Sequence, residues 1–266
     1  MFKCTAGGIG LREHAKDVFQ HKTVFITGAT SDIGAAIAES FAALGADLLL
    51  SDHPDLKKRL NEMAGTFQHE YASHSTVHPI DLNSVDEIQA NLSSVEKPID
   101  ILVNCAGLNT FLPALKVEEE VWDQILNVNL KSLFFVSKFV AETMIKSRTP
   151  GKIVNLASQH GVVANGLRAP YCASKAGVIH LTKVLALEWS QYDILVNCVS
   201  PTFTKTSKSE TFLQHPNVQK SFLPKIPLKR FATPNDITRA VLFLSSPFNT
   251  MITGENILVD GGYTIH

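Results

Sequence analysis

Tyr171 and Lys175 stand four residues apart in "YCASKAG", inside the longer stretch "APYCASKAGVIHLTKVLALEWS", whose pattern predicts a helix. That spacing puts both side chains on one helix face. A free tyrosine titrates at a pKa of about 10 and is a poor acid or base at neutral pH. An ammonium beside it favours the phenolate and lowers that value, so the pair reads as a proton-transfer device. Ser158 closes the run "KIVNLAS", 13 residues before Tyr171. A serine at such a strand end could hydrogen-bond a substrate oxygen. Asn129, in "NVNL", falls midway along a long helical pattern. Asparagine is an indifferent helix former, so two at one place suggest a local polar task, with solvation as the alternative.

A second group of residues could hold a nucleotide. "TVFITGATSDIG", Thr23 to Gly34, reads as a strand, a glycine turn and a helix start. Gly28 and Gly34 allow positive φ and close backbone approach. The helix N-terminus offers free N–H groups and a partial positive charge to a pyrophosphate. Asp32 is an acid where such a turn would more naturally carry glycine. A carboxylate at a helix start caps N–H groups, worth about 0.5–2 kcal/mol, but repels a pyrophosphate. Asp32 is therefore expected to cap the helix and turn away from ligand, leaving the amides of Ser31 and Ile33 free. Asp52 ends "GADLLLSD", 18 residues after Gly34. An acid there accepts from ribose hydroxyls and repels a 2′-phosphate. The loop has no Arg or Lys, and His53 is the only potentially basic neighbour, so NAD is expected over NADP. A solvated loop acid is the alternative for Asp52.

The elements that must position these groups alternate. β-rich runs fall at 23–27, 47–51, 76–80, 100–104, 152–158, 195–200 and 256–260. Most are continuously apolar, as parallel strands covered on both faces are. Helical patterns lie between them, notably "DIGAAIAESFAAL" and "EEVWDQILNVNLKSLFFVSKFVAETMI". Strand–helix alternation predicts an α/β fold: one doubly wound, Rossmann-type domain over 21–266, with a seven-stranded parallel sheet and helices on both faces. Residues 1–20 read as an N-terminal extension whose "GGIG" has no strand before it. The stretch from Pro201 to Arg230 holds four prolines and many polar residues after a strand's carboxyl end. It is expected to form a substrate lid over about 202–230, with an ordinary surface excursion as the alternative.

The chain has 266 residues, net charge −1, four cysteines and ten histidines. Interspersed charge argues against a nucleic-acid partner or a polybasic membrane surface. No run of about 18 apolar residues and no secretory h-region stands out, so a cytoplasmic location is expected. No CxxC or HExxH occurs. Cys105, Cys172 and Cys198 read as small buried thiols, and no metal site is expected.

Taken in order, these residues resemble the short-chain dehydrogenase/reductase family over about residues 20–263. "TGATSDIG" matches its TGxxxGxG loop except at Asp32. Asp81 and Leu82 match its pair beside the adenine. "NCAG", Asn104 to Gly107 with Ala106, is similar to its NNAG. Asn129, Ser158, Tyr171 and Lys175 match its catalytic tetrad. "NCVSPT" matches NxxxPG, with Pro201 retained and Thr202 replacing Gly, and "DGG" matches its C-terminal end.

The resemblance implies hydride transfer between NAD(H) and an alcohol/carbonyl pair. Tyr171 would be the general acid–base. Lys175 would lower its pKa and hold the nicotinamide ribose. Ser158 would orient the substrate oxygen, and Asn129 would anchor a relay water. Thr204 and Thr206 match positions that meet the carboxamide. A homotetramer is implied, with a dimer as the alternative and with long helices and C-terminal ends at the interfaces. "LALEWSQYDILVNCVSPTF" is most similar to members acting on sugar acids, sugars and polyols, such as gluconate and deoxygluconate dehydrogenases. His160, with Gln159 and Asn165, lies near the catalytic edge and could bind substrate hydroxyls or a carboxylate. Two alternatives stand beside this expectation: a 3-oxoacyl thioester reductase using NADPH, and a catalytically silent NAD-binding scaffold.

Overall fold

The computed structural model describes residues 18–265. Among these, seven strands form one sheet: β1 (Thr23–Thr27), β2 (Asp47–Ser51), β3 (Ser75–Val77), β4 (Ile101–Asn104), β5 (Gly151–Leu156), β6 (Ile194–Pro201) and β7 (Asn256–Val259). Their order is β3-β2-β1-β4-β5-β6-β7, and every pairing is parallel. Parallel neighbours need crossovers, and helices supply them. These are α1 (Asp32–Ala43), α2 (Lys57–Tyr71), α3 (Val85–Ser93), α4 (Glu119–Leu126), α5 (Ser132–Ser147), α6 (Ala169–Trp189) and α9 (Pro234–Ser245). Two short helices, α7 (Glu210–Gln214) and α8 (Pro216–Phe222), stand after β6.

Apolar side chains bury both faces of the sheet. On one side Ile37 and Phe41 of α1 and Ile237 and Val241 of α9 join Val24, Ile26 and Leu48. On the other, Val136 and Val140 of α5 and Leu185 of α6 join Phe25, Leu102 and Ile153. The doubly wound expectation is met. The chain order reverses between β1 and β4, which lie side by side with Thr27 opposite Asn104. At such a reversal the loops diverge above and below the sheet and leave a crevice at the strand ends.

Three expectations change. The third strand covers 75–77 rather than 76–80: Pro79 has no N–H to donate, and β3 is the sheet edge. The single long helix is broken by a wider, π-type turn at Asn127–Lys131. The stretch after β6 carries α7 and α8 instead of being irregular throughout. Residues 1–17 of the expected extension lie outside the described residues. Phe19 is fully buried and packs edge-on against Phe41, with ring centroids 4.8 Å apart.

Candidate active site

A cleft of about 680 Å³ opens at the carboxyl ends of the strands. Gly28, Ser31, Asp32, Ile33, Asp52, Asp81, Leu82, Ala106, Gly107, Ser158, Tyr171, Lys175, Pro201, Thr204 and Thr206 all line it. Gly34, Asn104, Asn129 and His160 do not, although all four were expected at the site.

The first turn explains its glycines. Gly28 has φ +65°, and a Cβ there would meet the Cα of Ala106 at 2.7 Å. A Cβ on Gly34 would run into the Gly28 carbonyl. Ser31 leaves the helical range at φ −67°, ψ 155° and caps α1: its Oγ accepts from Gly34 N at 3.0 Å and donates to Gly28 O at 2.8 Å. Asp32 was expected to be that cap and is not. It is already the first helical residue, so its side chain leaves the axis. The carboxylate accepts from Ser207 N at 3.1 Å and Ser207 Oγ at 2.7 Å, which ties the loop to the segment after β6.

Asp52 sits at the end of β2 as expected. One carboxylate oxygen accepts from Thr30 N at 3.0 Å and Thr30 Oγ1 at 2.7 Å, and the other accepts from His53 N at 2.9 Å. It therefore braces the loop as well as facing the cleft. Arg59 of α2 also lines this wall, so His53 is not its only basic group. Arg59 is remote from the loop in sequence, and no local spacing points to it. Asp81 lies beyond, its carboxyl held below the usual range chiefly by the Asn83 N–H at 2.9 Å. Across the cleft, Thr27 Oγ1 accepts from Cys105 N at 3.2 Å and Ala106 N at 3.3 Å, which shapes the turn after β4. Asn104 works behind that turn, donating to Ser137 Oγ at 2.9 Å and Asn155 Oδ1 at 2.8 Å. Of the three thiols read as buried, only Cys198 is fully so; Cys105 and Cys172 are half-buried.

The four tetrad residues come from three places: the π-type turn, the end of β5 and α6. Asn129 is fully buried in the π-type turn, not solvated. Its Oδ1 accepts from Leu108 N at 2.7 Å, and its Nδ2 donates to Leu108 O at 2.8 Å and to Ser174 Oγ at 3.0 Å. It thus ties the β4 loop to α6 one residue from Lys175. Lys175 Nζ donates to Leu156 O at 2.7 Å and lies 5.9 Å from the Tyr171 ring centroid. Burial lowers its pKa to about 8, so it remains an ammonium at neutral pH. Tyr171 departs from expectation. Burial raises its pKa, and the counteracting groups are the Ser158 hydroxyl and then the Arg168 charge. Removing phenolate from water costs more than these neighbours return.

His160 was expected to touch substrate. Instead its backbone N–H donates to Ser158 Oγ at 3.1 Å, while its ring turns to Phe203, 5.6 Å away between centroids. Burial and the nearby Arg168 charge lower its pKa to about 4. Thr204 Oγ1 donates to Thr202 O at 3.0 Å, and Thr206 Oγ1 to Ser209 Oγ at 2.9 Å, so both threonines hold the first turn of the expected lid.

The cleft can hold an extended ligand with anionic groups at the α1 N-terminus and hydroxyl groups at Asp52. It presents a phenol, an ammonium and a serine hydroxyl at the other end, a set suited to moving a proton at a carbinol oxygen.

Comparison with known proteins agrees. The family model described as Enoyl-(Acyl carrier protein) reductase matches residues 28–264. The chain is 36% identical over 244 residues to the NAD-dependent glycerol dehydrogenase of Listeria innocua, covering 92% of this chain and 94% of that one. It is 37% identical over 252 residues to the 3-oxoacyl-(acyl-carrier-protein) reductase FabG of Thermotoga maritima, covering 92% and 98%. A solved structure from Beutenbergia cavernae, described as a candidate NAD(P)-dependent gluconate 5-dehydrogenase with bound NADP, superposes with a TM-score of 0.86 at 28% identity, covering 94% and 100%. With its seven-stranded parallel sheet and the Ser158, Tyr171 and Lys175 side chains gathered on one cleft, the chain belongs to the short-chain dehydrogenase/reductase family, oxidoreductases that act on alcohol and carbonyl groups with a nicotinamide cofactor.

Proposed function

We propose that the protein interconverts a secondary alcohol and its ketone, on a sugar acid, sugar or polyol, using NAD(H). The observation that carries this reading is the single cleft that joins Asp52 at one end to Ser158, Tyr171 and Lys175 at the other. The turn suits a dinucleotide: Gly28 and Gly34, where a Cβ would meet the chain's own backbone, let it pack tightly at the α1 N-terminus, whose free amides suit a pyrophosphate. The nicotinamide, when bound, supplies the hydride acceptor or donor. The chain's own work is proton chemistry and positioning. Ser158 donates to the substrate oxygen and orients it. Tyr171 Oη takes the carbinol proton in oxidation and returns it in reduction. The Lys175 ammonium steadies the charge that develops there, while Asn129 fixes the backbone of Leu108 at the cleft wall.

NAD is proposed over NADP because Asp52 faces the ribose end. The NAD-dependent glycerol dehydrogenase relative supports this choice. Reduction of a 3-oxoacyl thioester with NADPH is the second reading, favoured by Arg59 on the same wall and by the FabG relative. We also propose a cytoplasmic homotetramer, with a dimer as the alternative. Val184 and Leu187 of α6 and Leu258 of β7 are exposed apolar side chains suited to such contacts.

The test is fluorescence titration with NADH and NADPH, followed by a turnover screen of polyols, aldonates and 3-oxoacyl thioesters. Tighter NADH binding with turnover of a polyhydroxylated alcohol is expected. NADPH preference with thioester reduction would replace the main reading by the second. Binding of either cofactor without turnover of any class would leave a silent nucleotide-binding scaffold.

A further inference from the structure

Arg168 sits immediately before α6, three residues ahead of Tyr171, and is only 7% exposed. A buried guanidinium is ordinarily paired with a carboxylate, because burying an unpaired cation costs several kcal/mol, on the order of. Arg168 has no ion pair among the described residues, and its Nε has no hydrogen-bond partner. The weak acids whose fields reach it are Tyr171, Cys172 and Tyr263, neutral in their ordinary state. Aromatic rings flank it: Cζ lies 4.2 Å from the Phe111 centroid and 5.8 Å from that of Phe203. Rings attract the cation but supply no anion, and the Nε–H remains open to a partner.

The place borders the substrate side of the cleft. Arg168 stands just behind the residues that line it, and each segment around Arg168 reaches that lining within three residues. Asn109 does so beside Phe111, Ser158 beside His160, Thr202 and Thr204 around Phe203, and Tyr171 after Arg168 itself. Phe212 of α7 packs on Phe111 at 6.1 Å and Phe222 of α8 on Phe203 at 4.4 Å, so the segment after β6 roofs this corner. His160 beside Phe203 has an unpartnered Nδ1 and is held neutral, so it adds no second cation here.

We propose that Arg168 anchors a carboxylate of the substrate, whose carbinol then lies at Ser158 and Tyr171. A planar carboxylate meets the guanidinium edge in two parallel hydrogen bonds and supplies the missing charge. The positive end of α6 favours the same sign. Arg168 and Tyr171 stand three residues apart at the start of α6, and the Arg168 charge reaches the Tyr171 hydroxyl. This inference rests on the dehydrogenase reading and narrows it from polyols in general to hydroxy acids.

The test uses the full chain saturated with NADH. Thermal unfolding is followed with gluconate or with glucitol, its uncharged polyol counterpart, for wild type, Arg168→Gln and Arg168→Lys. Gluconate is expected to raise the wild-type melting temperature more than glucitol does. That difference should vanish in Arg168→Gln and return in part in Arg168→Lys. In turnover, the kcat/KM ratio of aldonates to neutral polyols should fall at least tenfold in Arg168→Gln, chiefly through KM. An equal gluconate response in wild type and Arg168→Gln overturns the assignment even if polyols turn over. Turnover of neither class would overturn the dehydrogenase reading alone, because the melting comparison still decides whether Arg168 holds the carboxylate.

Discussion

Around Gly28 most of the polar side chains that shape the cleft are matched within the chain, Ser51 Oγ and Asn104 Oδ1 excepted. Ser31 bonds Gly28 and Gly34, Asp52 bonds Thr30, and Thr27 receives the Cys105 and Ala106 amides. Around Arg168 the pattern is opposite. Gln159, His160, Arg168 and Thr202 each carry a buried side-chain atom with no partner. An orphaned buried polar group costs about 1–3 kcal/mol. The first region holds its shape through its own hydrogen bonds and presents backbone amides to a ligand of fixed shape. The second is left short of hydrogen bonds, and the proposed substrate carboxylate would supply them there. A site with unpaired donors rejects molecules that cannot satisfy them.

The largest effect that could break this division is loss of chemistry without loss of binding. Tyr171→Phe should lower kcat by about 10²–10⁴-fold while NADH titration is unchanged. Parallel loss of NADH affinity would show that the two regions are not separable. A titration in acid comes next in size. His160 has a folded-state pKa of about 4 against an ordinary 6.5, so the unfolded chain takes up the proton first as pH falls. Stability should therefore decline from about pH 6.5 to about pH 4, by up to about 3 kcal/mol from this group. Urea unfolding across that range should give a shallower decline in His160→Gln. Identical slopes would place His160 in water rather than against Phe203.

A smaller effect sharpens the matched region's edge. Asn129→Ala strips partners from both Leu108 backbone groups and from Ser174. About 2 kcal/mol should be lost, seen as a fall of about 4–8 °C in Tm, and Asn129→Asp should restore less than wild type because a carboxylate has no donor for Leu108 O. A Tm within about 1 °C of wild type would show that water replaces the amide. The smallest concerns the clasp between Asp32 and Ser207. Asp32→Gly removes both bonds to Ser207, at about 1 kcal/mol, and should speed proteolysis between residues 202 and 230. It should also tighten NADH modestly by removing a negative charge beside the pyrophosphate site. Unchanged cleavage and unchanged affinity would make the Asp32–Ser207 contact inconsequential.

Periodicity and turn residues along the chain were enough to place all seven strands within a few residues, because continuous apolar runs bounded by glycine and polar turns are local signals. The Gly28 turn, the Asp52 strand end and the Tyr171–Lys175 pair were legible for the same reason: each is set by spacing within one or two elements. What the chain order could not determine depends on which elements meet. Nothing near Asp32 in sequence announces Ser207, 175 residues away, so the cap was given to Asp32 and its contact with Ser207 went unread. The burial of Asn129 follows from α6 closing over a wide turn. The burial of His160 and Arg168 follows from aromatic side chains at Phe111, Phe203 and Phe222 arriving from three separate loops and helices. Desolvation is a sum over neighbours, so the direction in which Tyr171, Lys175 and His160 titrate was decided only when the fold enclosed them.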